Sequence, residues 1–204
     1  MKRNKKRILT FGSAIALVAV FALFQAMEFG SADTDQVNVT ASVQGEMTFS
    51  CGSAVALGSV VPGTPVTGSV TCTTSTNNST GYNLAIKNDK SPTLDDGAGT
   101  SIADKTAWTK ASPNGVVWSA TGLGFRVAQT GTTATYSSTW WGSDDTVTNA
   151  KFAGLPTSYQ NIMEQGSYSS DSTDTVIAMK LDVPSTQKTG SYSGSVTLQS
   201  TVNP

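Results

Sequence analysis

The chain contains no histidine and only two cysteines, Cys51 and Cys72. Without histidine, the Ser–His–Asp and Cys–His nucleophile systems are excluded. Without a third cysteine, the usual zinc ligand sets go as well. Charge is also scarce, with Asp, Glu, Lys and Arg making up 13% of the residues. Of the 13 basic residues, Lys2, Arg3, Lys5, Lys6 and Arg7 are bunched at the N-terminus. The others are scattered among a larger number of acids, so no basic patch exists for a phosphate backbone and nucleic acid is not an expected partner. Helix-favouring surface residues are few, and no repeat of fixed period is visible.

What the chain does have begins with an address. After the basic head, Ile8 to Met27 runs almost without a polar side chain, and Gly30-Ser31-Ala32 supplies small residues of the kind a signal peptidase accepts. The segment reads as a signal helix over 1–32, removed on export. It also reads as an uncleaved anchor, since about 20 apolar residues cover a ~30 Å hydrocarbon core. Membrane contact is expected only through this segment and only if it stays. Either way residues 33–204 are expected outside the cytoplasmic membrane, at the cell surface or beyond, as a single domain.

Ser, Thr, Gly, Asn and Val dominate those residues. β-branched side chains suit a pleated sheet, and Gly, Asn, Asp and Pro clusters punctuate the chain as turns do. Gln36 to Val43 alternates most cleanly, with Val37, Val39, Ala41 and Val43 on one face. Met47–Cys51, Thr67–Thr74, Tyr82–Ile86, Val116–Trp118, Gly124–Ala128, Thr175–Val183 and Gly190–Val202 also read as strands, and Val55–Gly58 as a short apolar segment. Asn88–Asn114 and Gly131–Ser172 read as long irregular insertions, the second with a short helix around Ser158–Glu164. The expected fold is all-β, a two-layer β-sandwich of the immunoglobulin-like kind. In an exported chain the isolated pair Cys51 and Cys72 is expected to form one disulfide.

Phe49-Ser50-Cys51, Ala56-Leu57-Gly58, Val66-Thr67-Gly68-Ser69-Val70-Thr71-Cys72 and Gly81-Tyr82-Asn83-Leu84 resemble the opening of the spore coat protein U family of pilin-like secreted domains. Gly190-Ser191-Tyr192-Ser193-Gly194-Ser195-Val196-Thr197-Leu198 resembles that family's closing strand. The resemblance implies an immunoglobulin-like sandwich, a disulfide between the first two strands of the block, and in some members service as a subunit of surface pili. It leaves out both long middle regions, and Gly194 stands where the family usually has a polar or acidic residue.

Candidate chemistry is thin. Asp95-Asp96, Asp144-Asp145 and Glu164 are carboxylates in polar stretches, where solvation rather than glycoside hydrolysis or calcium binding is the expected role. The chain is therefore read as a non-enzyme with no metal and no cofactor. Trp118 reads as core, while Trp140 and Trp141 are candidates for stacking on a sugar ring. Val37, Val39, Ala41 and Val43 either belong to the first strand of the chain's own sandwich or form a face that completes a neighbour's sheet by strand addition. The functional expectation is a secreted structural or adhesive surface protein, pilin-like, whose partner is a second copy of itself. A carbohydrate-binding module that takes a surface glycan, or a membrane-tethered surface domain, is the competing reading.

Overall fold

Thr and Val carry the segments that form strands, alternating inward apolar with outward hydroxyl side chains. A computed structural model describes residues 35–130, 136–143 and 149–204. The basic head, the apolar run assigned as signal or anchor, and Asp144-Asp145 lie outside the described residues. The chain divides into two compact units, Met1–Ser42 and Val43–Pro204. In the first, residues 35–42 are exposed and carry no strand or helix.

The second unit is mostly β. Its strands are β1 (Met47–Cys51), β2 (Val66–Thr76), β3 (Tyr82–Asn88), β4 (Leu94–Asp95), β5 (Ser101–Ile102), β6 (Val116–Val117), β7 (Gly122–Thr130), β8 (Lys151–Phe152), β9 (Gln160–Gln165), β10 (Ser169–Asp182) and β11 (Val196–Val202), with one short helix, α1 (Ser138–Trp141). One sheet has the order β1-β2-β10-β7 and another β11-β3-β9, while β4-β5 and β6-β8 form two-stranded ribbons. Every ladder is antiparallel. Both larger sheets feed one buried cluster: Val70, Phe125, Val127 and Ile177 from the first, Leu84, Ile86 and Ile162 from the second. Outward on β2, Thr67, Ser69 and Thr71 are exposed and give the sheet a hydroxyl-rich solvent face.

The alternation in β2, β3 and β10 was legible, and Tyr82, Leu84 and Ile86 are all fully buried. The long insertions are more ordered than the sequence suggests. Asn88–Asn114 contains β4, β5 and the fully buried Trp108, whose indole N–H donates to the Asn161 carbonyl at 2.9 Å. The helix expected over Ser158–Glu164 is instead β9, paired to β3. A register shift between Leu84 and Ala85 lets the adjacent Ile162 and Met163 both face inward, which erases the period-two signal. Val55–Gly58 forms no strand.

Two glycines are demanded by close approach. Gly81 has φ 79°, and a Cβ there would lie 2.1 Å from the Gln165 carbonyl oxygen. Gly194, the departure from the family pattern, backs onto the Thr93 carbonyl oxygen, 1.9 Å from where its Cβ would be. No side chain of any kind fits that position.

Candidate functional site: an open groove between two sheet edges

Strand β1 is the edge of the first sheet and β11 the edge of the second; among the described residues each pairs on one side only, with β2 and β3 respectively. Met47, Phe49 and Cys51 of β1 face inward and are half-buried, while Thr48 and Ser50 between them are exposed. Val196 and Leu198 of β11 are half-buried in the same way. The near ends of the two edges meet where the Ser200 hydroxyl donates to the Met47 sulfur at 3.4 Å. Beyond that contact the edges part around a cavity of about 440 Å³, walled by Phe49, Cys51, Val196 and Leu198 and floored by Val70 and Met179. A second cavity of about 730 Å³ shares Val55, Leu57, Leu94 and Gly194 with the first and continues past Ile102, Leu181 and Tyr192. Together they make one groove, mainly apolar between Phe49 and Leu198 and mixed in character where Gln187, Lys188 and Ser191 line it, flanked by two rows of unpaired backbone N–H and C=O groups. An extended peptide fits such a place because it satisfies both needs at once.

The groove is held open from both sides. Cys51 and Cys72 are ladder partners in β1 and β2 and are joined by the expected disulfide. Its 21-residue separation gives about 3 kcal/mol in the chain-entropy model, enough to pin a short edge strand. Across the groove, the strap before β11 is tied to the β4–β5 ribbon. Asp95 and Ser193 exchange backbone hydrogen bonds of 3.1 and 2.9 Å, and the Lys188 ammonium lies 2.9 Å from the Asp96 carboxylate. The Lys188 ammonium, with the Thr100 and Ala98 N–H groups, holds the Asp96 carboxyl well below the usual carboxylate range. Under the same wall, burial pushes the Asp104 carboxyl up, against the Thr93 N–H and hydroxyl that donate to it.

The other candidates fall elsewhere. Gln36–Val43 is not a strand in this chain, which corrects the reading that placed it as the first strand of its own sandwich; an alternating segment without a ladder partner has no place to bond its backbone. Val37, Val39 and Val43 are 79%, 90% and 88% exposed, and Ala41 is exposed with them. Trp141 is 1% exposed: its ring lies 4.4 Å from that of Trp108 and its N–H donates to the Ile162 carbonyl at 2.9 Å, so neither face is open to a sugar. Trp140 is half-buried, its ring 5.5 Å from Trp108. Trp118, expected in the core, is instead half-exposed, edge-on to Phe152 with the Lys105 ammonium 4.3 Å from its ring centre. Asp95 pairs with Lys90, and Glu164 with Lys110. Among the described residues no three His, Cys, Asp or Glu side chains gather where a metal would sit, and no helix is long and apolar enough to cross a membrane.

Sequence reasoning missed the groove itself. Its walls come from opposite ends of the domain, and the only local trace is that β1 and β11 alternate without either becoming fully buried. In comparisons with known proteins, the chain matches no family model, no curated protein and no solved structure.

Proposed function

We propose that the chain is an exported surface subunit that polymerises by strand addition, residues 36–43 of one copy lying in the groove of the next. The observation that carries this reading is the pairing of an unfilled apolar groove with an exposed alternating segment of matching character. The strand order supports it. A constant-type immunoglobulin sandwich has sheets A-B-E-D and C-F-G. With β1, β2, β10 and β7 as A, B, E and D, and β3 and β11 as C and F, the place of G beside β11 is vacant; β9, beyond β3, is additional to the scheme.

Polarity favours a second copy over the chain's own segment. Strand β11 runs toward the Met47–Ser200 contact, so a strand antiparallel to it must start at that contact and run away. The chain's own segment ends at Val43, and the four residues on to Met47 reach at most about 14 Å. A strand of seven residues is about 20 Å long. The chain's own segment is therefore confined to the sense parallel to β11 and antiparallel to β1, which on the β11 edge is the weaker pairing and would be the sole parallel ladder in that sheet. Another copy's segment is free to enter antiparallel to β11 and so to complete that sheet in the sense of its existing ladders. Each fully buried valine contributes about 1.5–3 kcal/mol, so Val37, Val39 and Val43 together supply a usable driving force. Head-to-tail repetition of this contact gives a filament. The burial of Trp141 weighs against the carbohydrate-binding reading.

The test uses exported protein carrying Val37→Asp and Val39→Asp. It is expected to stay monomeric under conditions where the wild type forms filaments in electron micrographs. A synthetic peptide of residues 36–43 is expected to bind this monomer and raise its thermal midpoint, as a ligand of the folded state must. A variant that assembles like the wild type, or a peptide without effect, overturns the reading.

A further inference from the structure

The exposed segment joins β1 through Gln44-Gly45-Glu46, and one side chain brackets that joint. The Asn77 side-chain amide donates to the Gln44 carbonyl at 2.8 Å and accepts from the Glu46 N–H at 2.6 Å. The Asn77 backbone N–H and the Thr76 hydroxyl both donate to the Glu46 carbonyl, at 3.2 and 2.9 Å. Between the bonded groups sits Gly45, with nothing within 4 Å of where a Cβ would be. Glycine in open space is the residue most able to reverse the chain.

The backbone bond from Asn77 to Glu46 does no more than lengthen the β1–β2 ladder by one step. The side-chain bonds do something else. They fix the carbonyl before Gly45 and the N–H after it, so the joint cannot use its freedom while the amide holds both. With these bonds in place, Val43 is 88% exposed.

Resting on the strand-addition reading, we propose that Asn77 is a positioning residue that keeps the joint at Gly45 from folding residues 36–43 back into the chain's own groove, and so keeps that segment available to a second copy. Self-filling in the parallel sense needs a reversal within Gln44–Glu46, and that is the stretch the amide immobilises. The role needs a donor and an acceptor on one short side chain. Asparagine has both, aspartate only acceptors, alanine neither.

The experiment compares exported wild-type protein with Asn77→Ala and Asn77→Asp, following filament formation by light scattering and capture of labelled 36–43 peptide by the remaining monomer. Losing two side-chain hydrogen bonds at the joint is expected to slow assembly of Asn77→Ala about tenfold and to leave a monomer that captures correspondingly less peptide. Asn77→Asp is expected to fall between. As a control, Asn77→Ala is placed in the Val37→Asp, Val39→Asp background, where nothing fills the groove from within. There peptide binding is expected to be unchanged, whereas a merely structural role for Asn77 would weaken it. Wild-type rates and wild-type capture by Asn77→Ala overturn the proposal, as does weakened binding in the control. If the Val37→Asp, Val39→Asp protein with Asn77 intact captures no peptide, strand addition itself fails and the role of Asn77 falls with it.

Discussion

At the scale of the residue, Gly194 shows how a departure from a family pattern acquires a physical cause. A Cβ there would lie 1.9 Å from the Thr93 carbonyl oxygen, and neither partner is a flexible side-chain tip that can swing away. Gly194→Ala must displace the strap that forms one lip of the groove, and is expected to lower stability by about 1–3 kcal/mol in denaturant unfolding. Gly166→Ala is the control, with nothing near its Cβ and no left-handed backbone, and is expected to stay within about 0.5 kcal/mol of wild type. Equal effects would show that the close contact at Gly194 is not what fixes the strap. None of this was readable from the sequence, because Thr93 and Gly194 are far apart in the chain. Cys51 and Cys72 were readable, because two cysteines leave only one intramolecular pairing. The tryptophans were not readable: whether Trp118 or Trp141 is covered depends on loops with no periodicity to follow.

At the scale of the element, alternation located β2, β3 and β10 because each has one face buried along its length. It failed for β9, where the register shift turns adjacent residues the same way, and for Gln36–Val43, where an alternating pattern is present but no ladder forms within the chain. The β4–β5 ribbon was invisible, since two residues per strand are too few to show a period. Its bond to the strap, Asp96 to Lys188, carries a pH dependence of definite sign. The folded carboxyl sits below its ordinary value, so its stabilisation is complete above the unfolded pKa near 4 and is lost as pH falls through the folded value. Asp96→Asn keeps an oxygen to accept the Thr100 and Ala98 N–H groups and removes only the charge. Its thermal midpoint is expected below that of the wild type at pH 7, with the gap closing as both proteins are taken below pH ~4. A gap that persists unchanged in acid would mean that the ammonium contributes nothing.

At the scale of the whole molecule, the proposed contact is directional: each copy has one groove and one segment, and the two are unlike surfaces. Such a heterologous contact does not close on itself by symmetry, whereas a two-fold contact would stop at a dimer. The distinction is testable by breaking one half of the joint at a time. Val37→Asp with Val39→Asp leaves a working groove and a dead segment. Leu198→Asp, placing a charge in the groove wall, leaves a working segment and a dead groove. Each protein alone is expected to be monomeric by light scattering. Mixed in equal amounts, they are expected to form a dimer and nothing longer, because the single good joint consumes the only working groove and the only working segment. Filaments from the mixture, or from either variant alone, would locate the assembly surface elsewhere. No association in the mixture, with both variants folded, would mean that the segment and the groove are not partners.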